Sequence, residues 1–232
     1  MPEPFRVDVA SQQSTTALIY PAATKPPAGV TLILGHGAGA GQTSDFMTSF
    51  AGGLATRGVD TITFNFLYRD QGRHLPDSND RLEACWRAVI EAVRRRIKPS
   101  RNALAIGGKS MGGRIASQVA AGGIGNLAGL VLLGYPLHPP GRPDRLRSAH
   151  LSDIEAPMLF VQGSRDAFGT SDELRPIVAP LEPPVDLYVV EGGNHSFKVR
   201  KRAGVSQADI SGAIQDHTAA WLREMAALRR AR

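Results

Sequence analysis

Six consecutive residues, Gly108-Lys109-Ser110-Met111-Gly112-Gly113, follow directly on an apolar run at 103–106 and open a helical pattern. A serine placed this way fits a sharp strand-to-helix turn that forces it into a strained backbone conformation and lifts its Oγ above a sheet. Gly108 and Gly112 are then required, because a side chain at either position would collide across the turn. The N-terminus of the following helix favours the negative charge that develops when the serine attacks a carbonyl, and the Met111 N–H would donate to that oxyanion. A phosphate-binding loop is the competing reading of Gly-Gly-Lys-Ser. It needs a glycine five residues before Gly108, but Ala103 stands there, inside the strand, where no cradle can form.

A second glycine-rich turn, Gly35-His36-Gly37-Ala38-Gly39-Ala40-Gly41, follows the apolar run 30–34. Read as a dinucleotide fingerprint it calls for an acidic residue at the far end of the next strand, about 20 positions on, and that end carries Asn65 instead. Beside a nucleophile, a backbone free of side chains suits an oxyanion hole, with the Ala38 N–H paired to that of Met111. His36 reads as a residue that orders this loop.

Serine alone is a weak nucleophile and needs a base within hydrogen-bond reach and an acid to orient that base. The run 158–162 ends in Gly163-Ser164-Arg165-Asp166, and the run 187–190 ends in Glu191-Gly192-Gly193-Asn194-His195-Ser196. Both sit just past a strand's carboxyl end, where open α/β sheets bind ligands, so Ser110, Asp166 and His195 are expected to converge on one crevice. Among the other histidines, only His217 also follows such an acid, and it falls inside a helix. Asp153 and Asp172 compete for the acid, but Asp153 precedes the strand and Asp172 has the context of a helix start. Tyr68, Arg69, Leu137, His138 and His36 are expected to rim the crevice, and Lys109 and Arg114 would make that rim cationic and favour an anionic ester.

The elements that must position these groups alternate along the chain. Short apolar runs at 30–34, 61–66, 103–106, 130–133, 158–162 and 187–190 interleave with segments of helical period, the pattern of a parallel sheet covered by helices. The segment 15–20 reads as an antiparallel edge strand. In 80–97 the residues Leu82, Cys85, Trp86, Val89, Ile90, Val93 and Ile97 recur at spacings of three and four, with Pro99 as the stop. Further helices are expected just after Ser110 and over 210–228, 46–56 and 172–179. The Pro/Gly-rich stretch 136–143 is a loop, and nothing marks a domain boundary, so residues 1–232 are expected to form one domain.

Composition closes off other classes. At 42% hydrophobic and 21% charged residues the chain has the makings of a packed core, neither a disordered protein nor a coiled coil. The longest uncharged stretch, 115–141, is broken by Gly122, Gly123, Gly125, Asn126, Gly129 and Gly134, so no membrane span emerges, and the first ten residues carry charge and lack a secretory signal's apolar stretch. A cytoplasmic location is expected. Cys85 is the single cysteine, which excludes an internal disulfide and a cysteine-built zinc site. A net charge of +6, with basic runs at Arg94-Arg95-Arg96, Lys98 and at Lys198, Arg200-Lys201-Arg202, comes without a nucleic-acid motif and with only 6% aromatics, so no nucleic-acid partner is expected.

The strings GHGAGAG, GKSMGG, GSRD and GGNHSF, spread from Gly35 to Phe197, resemble the α/β-hydrolase superfamily over nearly the whole chain. HGAGAG, GKSMGGR and Gly134-Tyr135-Pro136-Leu137-His138-Pro139 look like its small lidless bacterial group, related to dienelactone hydrolases and to NSL-complex regulatory-subunit-type proteins. The resemblance implies an eight-stranded, mostly parallel sheet with helices on both faces and no cap domain, and serine hydrolase chemistry on Ser110, Asp166 and His195. Dienelactone hydrolases use a cysteine nucleophile, so their substrate does not carry over. Together these readings point to a carboxylesterase acting on small-molecule esters with neither metal nor cofactor. A peptidase or acyltransferase would use the same residues, and a non-enzymatic interaction module could occupy the same fold.

Overall fold

The computed structural model describes residues 2–96, 102–183, 185–200 and 205–230. Eight strands form one sheet in the order β1-β2-β4-β3-β5-β6-β7-β8. They are β1 (Glu3–Ala10), β2 (Gln13–Tyr20), β3 (Val30–Gly35), β4 (Asp60–Phe64), β5 (Ala103–Lys109), β6 (Gly129–Leu133), β7 (Met158–Gly163) and β8 (Val185–Val190). The pairs β1–β2 and β2–β4 are antiparallel, and every pair from β4 through β3 to β8 is parallel.

The central strands read as unbroken apolar runs because helices cover both faces. Alternate residues go to opposite sides: Ile33, Ile106, Leu130, Leu132 and Phe160 join one core, and Leu32, Leu34, Ala105, Val131, Leu133 and Val161 join the other. The first core is closed by α3 (Asn79–Arg96), α4 (Met111–Ala121) and α5 (Ser171–Val178), through Leu82, Trp86, Val89, Ile115, Val119 and Leu174. The second is closed by α1 (Asp45–Thr56) and α6 (Gln207–Arg230), through Met47, Phe50, Leu54, Ile214, Trp221 and Leu222. Helix α5 starts on a reciprocal cap, with the Thr170 hydroxyl accepting from Glu173 N while the Glu173 carboxylate accepts from Thr170 N. Cys85 is buried, and burial pushes its thiol up to about 12, which removes it from thiolate chemistry.

Two elements differ from the sequence expectation. The antiparallel strand read at 15–20 is β2, but it is not the edge, because β1 pairs along its outer side. β1 is covered on one face only: Phe5 and Val7 are buried, while Glu3, Arg6 and Asp8 face solvent. Its period-two alternation is interrupted by charges and never forms an apolar run. The segment after β4, for which no element was expected, contains the one-turn helix α2 (Leu67–Asp70). Ile97 and the Pro99 stop, along with Lys98, Lys201 and Arg202 of the basic runs, lie outside the described residues.

From β3 the chain steps to β4 on one side and then, through α3, to β5 on the other. The carboxyl ends of β3 and β5 therefore flank the point where the strand order reverses, and there an open α/β sheet leaves a crevice. Both glycine-rich turns sit at this point, and Gly35 pairs with Gly108 across it. Between β6 and β7 the chain stays low. Its only regular element is a short 3-10 helix (Ala149–Asp153), tied to α4 by the His150–Ser117 contact, while the Tyr135 hydroxyl donates to Arg147 O. No cap domain is inserted there, as the resemblance implied.

Candidate active site

Ser110 links β5 to α4 with φ +52° and ψ −116°, a conformation that non-glycine residues adopt only when the surroundings impose it. The imposing contact is the approach of this turn to the end of β3. A Cβ at Gly108 or Gly112 would run into the Gly35 carbonyl, so neither position tolerates a side chain. The Ser110 N–H is tied to Leu133 O at 2.9 Å, which anchors the turn to the neighbouring strand as well.

His195 Nε2 lies 2.9 Å from Ser110 Oγ, and His195 Nδ1 lies 2.8 Å from Asp166 Oδ2. Asp166 is buried, and its carboxylate also accepts from Phe168 N (2.8 Å) and from Gln162 Nε2 (3.1 Å). Surrounded by donors, it accepts from Nδ1–H, so the free lone pair of His195 is on Nε2, facing the serine hydroxyl. The Phe168 ring stands 4.3 Å from the imidazole and shields that side of it. Three segments after three different strands thus bring Ser110, His195 and Asp166 into one continuous hydrogen-bonded line. Asp153 and Asp172 take no part; Asp153 ends the 3-10 helix and Asp172 lies in the first turn of α5.

Gln162 was not singled out from the sequence, yet it is the hub of the hydrogen bonds around Asp166. Fully buried at the end of β7, it accepts from Tyr135 N and donates towards Tyr135 O, Gly169 O and Asp166. The available signal was a polar residue at the end of an otherwise apolar strand.

The loop after β3 lies against Ser110: a Cβ on Gly37 would sit 3.7 Å from Ser110 Cβ. His36 organises this loop from beneath. Its Nδ1 contacts Gly37 O at 2.8 Å and its Nε2 accepts from Phe66 N at 3.2 Å. Burial lowers its pKa to about 4, so it is neutral at pH 7, as that donor and acceptor pairing requires. Asn65, which took the place of the acidic residue of a dinucleotide site, holds the other end of the loop by accepting from Gln42 N while donating to Asp70. The N–H groups of Ala38 and Met111 have no protein acceptor among the described residues.

Of the residues expected at the rim, His36, Tyr68 and Leu137 are fully buried and His138 nearly so, leaving Arg69 partly exposed. They form the wall behind the crevice, because the segments after β4 and β6 fold back onto the sheet. His138, for instance, faces Glu173 of α5 at 3.4 Å. The cationic rim does not form as expected either. Lys109 turns inward to His195 O, and Arg114 donates to Gln118 and Asn79 along α4 and α3.

Residues 28–223 match the family model described as an alpha/beta hydrolase domain. The chain belongs to the α/β-hydrolase domain family. The matched span takes in every strand from β3 to β8 and leaves out the β1–β2 hairpin and the end of α6. Solved structures similar to it include an α/β serine hydrolase homologue from Coxiella burnetii, 20% identical over 96% of each chain with a TM-score of 0.73. A lidless α/β serine hydrolase from Xanthomonas campestris is 22% identical over 95% of this chain and 94% of its own, with a TM-score of 0.73. A dienelactone hydrolase from Anabaena variabilis is 19% identical over 96% and 98%, with a TM-score of 0.72. At these identities the likeness is one of fold. Among the described residues of this α/β hydrolase no helix is long and apolar enough to cross a membrane, and no cluster of three or more metal-ligating side chains occurs.

Proposed function

We propose that this α/β hydrolase is a serine carboxylesterase acting on small to medium acyl esters, with Ser110 as nucleophile, His195 as general base and Asp166 as the group that orients it. The observation that carries the reading is the line Ser110 Oγ–His195–Asp166, at 2.9 and 2.8 Å, starting from a serine held at φ +52°. His195 Nε2 takes the Ser110 proton as Oγ attacks the acyl carbonyl, and Asp166 stabilises the imidazolium that forms. The negative charge on the tetrahedral oxygen goes to the unengaged N–H groups of Met111 and Ala38. His195 then protonates the departing alcohol, and water activated by the same imidazole releases the acid from Ser110.

The low connection between β6 and β7, with one short 3-10 helix, supports substrates of modest size, since it offers little apolar wall for a long chain over the serine. A cleft of about 300 Å³, lined by Phe46, Phe50, Phe197 and Ile214, borders the His195 loop. Labelling with a fluorophosphonate, alongside Ser110→Ala, tests the assignment: rapid labelling lost in the variant is expected, and a folded wild type that does not label overturns it. A panel of p-nitrophenyl esters then tests the size class, with turnover expected to fall from short to long acyl chains.

A further inference from the structure

His195 is the one member of the site whose own peptide is poorly supported by the backbone around it. The turns on either side are well tied, with Gly193 N donating to Val190 O, Asn194 N to Lys198 O and Phe197 N to Asn194 O. The Asn194 side chain accepts from Ser196 N and Lys198 N. Among the described residues, the main chain of His195 itself has a single partner: Lys109 Nζ, which donates to His195 O at 2.6 Å.

Lys109 is the residue next to Ser110, at the end of β5, whereas His195 belongs to the loop after β8, three strands away in the sheet. The amine crosses this gap through a space kept open for it. Gly134, at the end of β6, has φ +60°, and a Cβ there would lie 2.8 Å from Lys109 Nζ and 3.5 Å from His195 Nδ1. The rings of Phe197 and Phe46 stand 5.4 and 6.0 Å from the nitrogen, which suits a cation.

Resting on the esterase reading, we propose that Lys109 is a positioning residue: it spans from the nucleophile's strand to the carbonyl of His195 and sets the distance between base and serine. A merely stabilising role fits poorly. Burial lowers the Lys109 pKa from 10.5 to about 8, with the Asp166 charge opposing that shift. Between these two values the unfolded chain holds more protons than the folded one, so this group's contribution to stability rises with pH across the window, and at pH 7 burying the ammonium is a net cost. Asp166, His195 and the two aromatic rings are the groups that face it from the surrounding elements, and Asp166 is the one carboxylate among them.

The experiment compares wild type with Lys109→Met and with Lys109→Cys treated with 2-bromoethylamine, which rebuilds a primary amine of lysine's length; buried Cys85 is spared. With p-nitrophenyl acetate, Lys109→Met is expected to lower kcat roughly 10- to 100-fold, as sub-ångström misplacement of a base does, with KM little changed. Its thermal midpoint at pH 7 should be equal to or above wild type, and aminoethylated Lys109→Cys should recover most of kcat. Full kcat in Lys109→Met, or a loss that tracks a falling midpoint and is not recovered by aminoethylation, overturns the proposal. An independent readout is the low-field NMR resonance of the His195 Nδ1 proton. It should broaden or vanish in Lys109→Met and return with the rebuilt amine, and an unchanged resonance also overturns the proposal. Because that signal needs no turnover, it decides on Lys109 even if a fluorophosphonate fails to label wild type and the esterase reading falls.

Discussion

The two halves of the site are held by different forces. Around Ser110, glycines let backbone pack on backbone: the Ser110 turn sits directly on the end of β3, and position is enforced by the lack of room. Around Asp166 and His195, position is enforced by hydrogen bonds, with Gln162 and Phe168 N donating to Asp166, Tyr135 N holding Gln162 and the Lys109 amine donating to His195 O. Steric enforcement tolerates no added atom, whereas hydrogen-bonded enforcement tolerates changes of volume but no loss of a partner.

That contrast can be broken from either side. Asp166→Asn leaves the volume and the fold almost untouched yet presents a donor where His195 needs an acceptor; kcat is expected to fall by about 10⁴-fold with little change in the denaturation midpoint. Gly112→Ala does the reverse. Its Cβ meets the Gly35 carbonyl, so a loss of about 3 kcal/mol or more of stability is expected by chemical denaturation, together with loss of fluorophosphonate labelling.

Gln162→Leu keeps the size of the side chain but orphans Tyr135 N and one bond to Asp166. Roughly 2 kcal/mol of stability and a 10- to 100-fold drop in kcat are expected, with KM nearly constant. The smallest effect concerns the loop after β3. Because burial puts His36 at about 4 in the folded protein against 6.5 when free, the unfolded chain binds the extra proton first. Stability from this group is complete above pH 6.5 and is lost as pH falls towards 4. About 2 kcal/mol is expected to go by pH 5. Thermal midpoints measured from pH 7 to 5 should fall less steeply in His36→Gln.

The same contrast explains what could be read from the sequence. Steric devices are written in glycines at fixed spacing, so the Ser110 elbow and the loop after β3 are visible in Gly108, Gly112 and Gly35 through Gly41. Likewise the strands from β3 to β7 are visible because covering both faces demands unbroken apolar runs. Gln162 escaped because its partners are main-chain groups of Tyr135 and Gly169, which any sequence would supply. Strand β1 escaped because a one-sided edge alternates Phe5 and Val7 with charges. The expected rim was wrong in depth, not in position along the chain. Following a strand end places Tyr68 and Leu137 at the right end of the sheet, but only the folding back of their segments decides whether they face water.

The short, tied-down passage from β6 to β7 has a consequence for the fate of a bound acyl group. With that passage held against α4, an acyl group formed on Ser110 by the proposed esterase would stay open to bulk solvent. Partition between hydrolysis and transfer to another alcohol is then governed by competition with water at its full concentration. The enzyme is expected to release free acids even when a second alcohol is supplied in moderate excess.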